Sequence, residues 1–182
     1  SAWRYRHRAR LSVREVAKKG TVLVGFHEKR SSFIADMKSC EILPKRVSDL
    51  LVPLRELINS LSLRKKLPQI ELAVTDEALA LVLRVLEKPT ADDEAKLRQF
   101  QKDYGVDFWY QPKGPDSIYP MDPENAARLK LHHRETGVEV VFRPTDFTQV
   151  NHRLNEVMVT RALRLLHLEP SSKVIDFFCG LG

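Results

Sequence analysis

A chain of 182 residues with 43% hydrophobic and 30% charged residues has the make-up of a folded, water-facing protein of about one full domain, which excludes a disordered segment. No apolar run nears the roughly 20 residues of a bilayer span, and no apolar stretch follows the arginine-rich start as a signal peptide requires, so the expected location is cytoplasmic with no membrane partner. The net charge of +6 lies entirely in residues 1–20, where seven Lys and Arg face the single Glu15, and a cationic face so localised is the footprint of a polyanion.

From Arg4 to Val13 the residues alternate, with Arg4, Arg6, Arg8 and Arg10 on one side and Tyr5, His7, Ala9, Leu11 and Val13 on the other. Period two predicts a strand carrying four guanidiniums on one face, either as a phosphate-binding row or as an edge strand kept from aggregating by charge. His7 falls on the opposite face and reads as a packed or edge histidine. A hairpin turning at Gly20 leads to Thr21 to Phe26, a turn follows at Arg30 to Ser32, and a third strand is expected over Phe33 to Met37. Cys40 comes next, by its context a small buried hydrophobe.

Val47, Leu50, Leu51, Leu54, Leu57, Ile58 and Leu61 recur at three and four and predict an amphipathic helix from Lys45 to Leu63, kinked or broken by Pro53. Strands are expected at Ile70 to Thr75 and Ala78 to Leu86, then a helix capped by Thr90 and closed by Gly105, then a strand from Val106 to Tyr110. Counted from Phe33, strand, helix, strand, strand, helix, strand is a split βαβ order. The expected fold class is therefore α+β: a mainly antiparallel sheet with helices mostly on one face. The proline-rich stretch 111–128 reads as a loop leading out of this unit, and the domain boundary is set there, at 1–125 and 126–182. Strands at Leu129 to His133 and Val138 to Phe142 follow; His132 and His133, being adjacent, would point to opposite sides of a strand and do not suit a shared metal. Asn151 opens a last helix ending near His167, and Lys173 to Phe178 reads as a buried strand running into Gly180-Leu181-Gly182, the way a doubly wound sheet begins its approach to a nucleotide-like ligand.

Phe147-Thr148-Gln149-Val150-Asn151 followed one helix later by Asp176-Phe177-Phe178-Cys179-Gly180-Leu181-Gly182 closely resembles the RNA uridine C5-methyltransferase family, and within it the bacterial branch acting on 23S ribosomal RNA. Arg4 to Ser12 and Asp36 to Leu43 resemble two further segments of that family in the same order. The resemblance implies that the chain is a central α+β RNA-binding domain plus the first helix and strand of a Rossmann-like methyltransferase domain that uses S-adenosylmethionine.

In that family a cysteine thiolate adds to C6 of uracil, the activated C5 takes the methyl group, and a glutamate removes the C5 proton. Nucleophile and base lie downstream of the glycine turn, so no catalytic residue is expected in this chain, which should be inactive alone. Carried over position by position, Gln149, Asp176, Phe178, Gly180 and Gly182 would border S-adenosylmethionine, with Cys179 structural. Arg4, Arg6, Arg8, Arg10, Phe147 and Gln149 would contact 23S rRNA. For Phe147 a core aromatic, and for Asn151 a helix cap, are equally good readings. Cys40 stands where the family's ribosomal branch has the fourth ligand of a [4Fe-4S] cluster, whose other three cysteines lie upstream of this chain; such a cluster takes four thiolates, so neither it nor the methyl donor is expected bound to this piece. No DNA and no obligate protein partner is inferred. Two other functions stay open: an RNA-positioning module without catalysis, favoured by the arginines, and a transfer RNA uridine C5-methyltransferase, disfavoured by Cys40.

Overall fold

A computed structural model describes residues 2–181. A six-stranded sheet is built from β1 (Arg8–Val16), β2 (Thr21–Gly25), β3 (Gln69–Val74), β4 (Leu79–Arg84), β5 (Asp107–Gln111) and β6 (Tyr119–Pro120), in the spatial order β2-β1-β3-β4-β5-β6. Every neighbouring pair is antiparallel except β4 and β5, which are parallel because α3 (Ala91–Tyr104) carries the chain back between them. The α+β class with a mainly antiparallel sheet is thus observed.

The two faces of the sheet differ because alternate residues differ. Ala9, Leu11 and Val13 of β1, Ile70, Leu72 and Val74 of β3, Leu79, Leu81 and Leu83 of β4 and Phe108 and Tyr110 of β5 all turn inward and join one core. α1 (Lys45–Ser48), α2 (Leu51–Ser60) and α3 cover that face through Val47, Leu51, Leu54, Ile58, Leu97 and Phe100. Fully burying leucine-sized side chains in this way contributes about 1.5–3 kcal/mol each before entropy is subtracted. Asp93 ties α3 to the end of α2: its carboxylate accepts from Ser62 N (2.7 Å), Ser62 Oγ (2.6 Å), Thr90 N (3.1 Å) and Thr90 Oγ1 (2.9 Å), completing the Thr90 cap.

On the opposite face, a hairpin of β7 (Leu129–His133) and β8 (Val138–Phe142) covers one end of the sheet, packing Leu129 and Phe142 on Ala73, Ala78 and Ala80. The alanines are what let a second layer approach so closely. α4 (His152–Leu166) follows, capped by Asn151, whose Oδ1 accepts from Leu154 N at 3.0 Å. Among the described residues no helix is long and apolar enough to cross a membrane.

Four expectations fail locally. The first strand begins at Arg8 rather than Arg4, because Arg4 has a left-handed backbone (φ 60°) and the Arg4 and Arg6 amides donate to the carbonyls of Glu41 and Ile42, outside the sheet. Phe33 to Met37 is no strand: only Ile34 bridges to His27, so the split βαβ order from Phe33 is replaced by a sheet that takes β1 and β2 as its first members. The long helix from Lys45 is two, broken at Asp49-Leu50, and Pro53 sits in the first turn of α2, where a missing N–H leaves no intrahelical bond unmade. Lys173 to Phe178 is irregular and exposed, since among the described residues no strand lies beside it to take its backbone hydrogen bonds.

Candidate nucleic-acid interface

The loop from Arg143 to Asn151 is fastened at both ends by Arg8, the first residue of β1, and by His7 just before it. Arg8 Nη2 donates to the Pro144 carbonyl at 2.7 Å, and the His7 amide donates to the Val150 carbonyl at 2.8 Å. Beyond that point the imidazoles of His7 and His152 stack, with centroids 4.4 Å apart and planes 20° from parallel. His7 Nδ1 meets the Tyr5 carbonyl at 2.8 Å; a carbonyl only accepts, so Nδ1 carries the proton. Within the loop Asp146 closes a turn by accepting from the Arg143 amide (2.7 Å) and guanidinium (2.9 and 3.0 Å).

Held so, the loop alternates. Thr148 turns inward and is 5% exposed, while Phe147 (78% exposed) and Gln149 stand out in solvent. The core-aromatic reading of Phe147 is excluded within the described residues, whereas the helix-cap reading of Asn151 is observed. An exposed aromatic ring two residues from a free side-chain amide is an arrangement able to stack on one face of a base and hydrogen-bond to an edge.

At the fastening point Arg8 Nη1, Thr148 Oγ1 and His152 Nε2 are buried without a hydrogen-bond partner among the described residues, as is Arg6 Nε nearer the start of the chain. Burial holds the Arg8 guanidinium below its ordinary pKa, partly offset by Glu71 and Asp146, and it stays charged. Burial also pushes His152 down to about 4, with His7 adding to the shift, so this ring is neutral at pH 7.

The other predicted arginines part company. Arg4 pairs with Glu41 at 2.8 Å and donates to the carbonyls of Cys40 (3.0 Å) and Leu43 (3.3 Å), so it organises the loop that carries Cys40. Arg10 is on the strand, exposed, and paired with Glu71 at 2.7 Å. Cys40 itself is half-buried, its amide donating to Ser48 Oγ at 2.8 Å. Among the described residues no three metal-ligating side chains gather, so a four-thiolate cluster does not fit the residues present: Cys40 supplies one thiolate and Cys179 lies in the exposed tail.

That tail holds the remaining candidates. Asp176 Oδ1 accepts from the Phe178 amide at 3.0 Å, Phe178 is 96% exposed, and Gly180 has the left-handed φ of 65° that suits glycine. Gly182 lies outside the described residues. Sequence reasoning passed over His152 and Thr148, whose roles depend on what β1 places against them; the only signal was the alternation around Gln149.

The fold is similar to part of a solved RNA uracil-C5-methyltransferase: the structure of Pyrococcus abyssi tRNA (uracil-54, C5)-methyltransferase in complex with S-adenosyl-L-homocysteine superposes with a TM-score of 0.65, covering 93% of this chain and 43% of that one at 17% identity. No protein-family model matches the chain. In sequence it is 57% identical over 180 residues to a 23S rRNA (uracil(1939)-C(5))-methyltransferase RlmD of Cupriavidus necator, and 59% identical over 181 residues to that of Burkholderia lata. The chain is therefore a relative of the bacterial 23S rRNA (uracil-C5)-methyltransferases along practically its whole length, as its motifs implied. It spans about two fifths of the length of these relatives, 41% and 39%.

Proposed function

We propose that this chain is part of an enzyme that transfers a methyl group from S-adenosylmethionine to C5 of a uridine in 23S rRNA, and that it presents the base-recognition loop of that enzyme. The observation that carries this reading is the pair Phe147 and Gln149, exposed side by side on a loop clamped by Arg8 and His7, in a chain 57% identical to a 23S rRNA methyltransferase. Phe147 supplies a stacking face for the target uracil, and the Gln149 amide both donates to and accepts from its edge. Phosphates fall to the exposed Arg10, with the half-buried Arg6 and Arg8 adding positive charge behind it. The nucleophile and base come from residues outside this chain, the residues around Asp176, Phe178, Gly180 and Gly182 border the methyl donor, and the domain division falls at 125/126. The enzyme works in the cytoplasm on RNA, without DNA or an obligate protein partner.

Cys40 is, on this reading, one ligand of a [4Fe-4S] cluster completed by thiolates from outside the chain, and Arg4 holds its loop in place. In the longer protein, Cys40→Ser should lose iron and acid-labile sulfide together.

The test of the main reading is methyl transfer to a 23S rRNA transcript by the longer protein. Gln149→Ala should lower kcat/KM by roughly 100-fold, the scale of one well-placed donor in a reacting site, with an unchanged thermal midpoint. Turnover close to wild type would overturn it.

A further inference from the structure

The outer face of the sheet is divided by register into rows. One row, Arg8, Ala73, Ala80 and Asp107 across β1, β3, β4 and β5, lies at the end that the β7–β8 hairpin covers through its alanines. Two rows further along, the same four strands place Ser12, Gln69, Arg84 and Gln111 side by side, with Arg10, Glu71, Val82 and Trp109 in the row between. At this end the face is open and polar. Four strands at about 4.8 Å spacing make a polar strip about 14 Å across.

Gln69, Arg84 and Gln111 of this strip, with Arg10 and Glu71, form the floor of a groove of about 420 Å³ that Pro68, Leu86 and Thr145 also line. Its walls are the turn at Pro115–Ser117 and the loop after β8, which Arg143 and Asp116 join across 3.9 Å. Gln111 is only 5% exposed yet borders the groove, and Arg84 is anchored by donating to the Lys113 carbonyl. Glu71 is neutralised by Arg10 and accepts from Gln69 at 3.0 Å, which leaves Arg84 as the uncompensated charge. The groove opens beside Thr145, two residues before Phe147.

We infer that this groove is a binding subsite for the single-stranded RNA next to the target nucleotide, with Arg84 on a phosphate and the Gln69 and Gln111 amides on a base edge or ribose. The inference rests on the function proposed above and extends it to a surface outside the arginine-rich start. The residues lining the groove include no aromatic ring, Trp109 of the neighbouring row being packed against the β7–β8 cluster, so the strand is held by hydrogen bonds and charge rather than by stacking, and the subsite positions the RNA more than it selects a sequence.

Fluorescence anisotropy of fluorescein-labelled oligouridylate with the 182-residue chain, across a salt series, tests this. Arg84→Gln keeps a donor for the Lys113 carbonyl and removes the charge; it should weaken binding about three- to tenfold near 0.1 M salt and lower the log–log salt slope by about one. Arg84→Lys should restore the slope, and Lys102→Gln, on α3 behind the opposite face, should change nothing. If Arg84→Gln binds like the wild type, or Lys102→Gln loses as much, the subsite is wrong while the Gln149 reading stands. If the chain binds no oligouridylate even at low salt, the subsite is also wrong, and the function is judged separately by methyl transfer in the longer protein. Equal competition by polyglutamate would assign the groove to acidic polymers in general and overturn the RNA assignment.

Discussion

The stacked rings of His7 and His152 join the start of β1 to the start of α4 across 145 positions of sequence, and they are the point at which the loop bearing Phe147 and Gln149 is fixed to the sheet. With His152 pushed from its ordinary 6.5 to about 4, the folded protein refuses a proton that the unfolded chain accepts. Stability from this ring is therefore complete above pH 6.5, is lost as pH falls toward 4, and changes no further below that. The ring is partly open to solvent, so the loss is on the order of 1 kcal/mol rather than the full linkage value. Urea unfolding at pH 7 and pH 4.5 should show it, and His152→Phe, which keeps a ring in the stack without a titrating nitrogen, should reduce the difference between the two.

Arg8 fixes the other end of the same loop. Arg8→Ala leaves the Pro144 carbonyl unmet and should cost about 1–3 kcal/mol. Hydrogen exchange at the His7 amide, bonded to Val150, should speed up in the variant while the β3 and β4 amides keep their protection. Replacing Arg4, Arg6, Arg8 and Arg10 together would thus mix structural damage with lost RNA contacts; Arg10→Ala alone is the clean probe of the strand's phosphate contact.

Asp93 is fully buried with four donors on its carboxylate, and those from Ser62 and Thr90 outweigh burial and keep its pKa below the ordinary carboxylate value. Asp93→Ala should cost about 2–4 kcal/mol in urea unfolding, from the lost helix cap and the unpaired Ser62 amide together.

Gly25 ends β2 against the loop after it. A Cβ there would lie 2.9 Å from the Ala35 carbonyl oxygen and 3.1 Å from Met37 Sδ, too close without moving backbone. Gly25→Ala should destabilise by about 1–3 kcal/mol, read as a lower thermal midpoint.

Where local pattern and packing agree, the sequence was legible. The Leu129–His133 and Val138–Phe142 strands, the Thr90 cap, the Gly105 stop and the Asn151 cap could be read from period and capping chemistry alone, because their hydrogen bonds close within a single helix turn or one hairpin. The arginine alternation correctly placed Arg8 and Arg10 on the outer face of β1. It misjudged Arg4, whose partners lie 36 to 39 positions away at Cys40, Glu41 and Leu43. The terminal strand was misread for a related reason: Val174, Ile175, Phe177 and Phe178 have the composition of a buried strand, but a strand exists only beside a neighbour that takes its backbone bonds.

By itself, then, the sequence determined the kind of elements, the apolar face of each, and through Phe147-x-Gln149-x-Asn151 and the Asp176 to Gly182 motif the relationship to RNA uridine methyltransferases. Tertiary structure alone decided which groups share a place: the loop bearing Gln149 clamped at Pro144 and Val150 by Arg8 and His7, Arg4 turned to the Cys40 loop, and Ser12, Gln69, Arg84 and Gln111 aligned in one open row. The reason is physical. Periodicity and caps are local properties of a chain, whereas register brings together residues up to about a hundred positions apart only when the sheet forms.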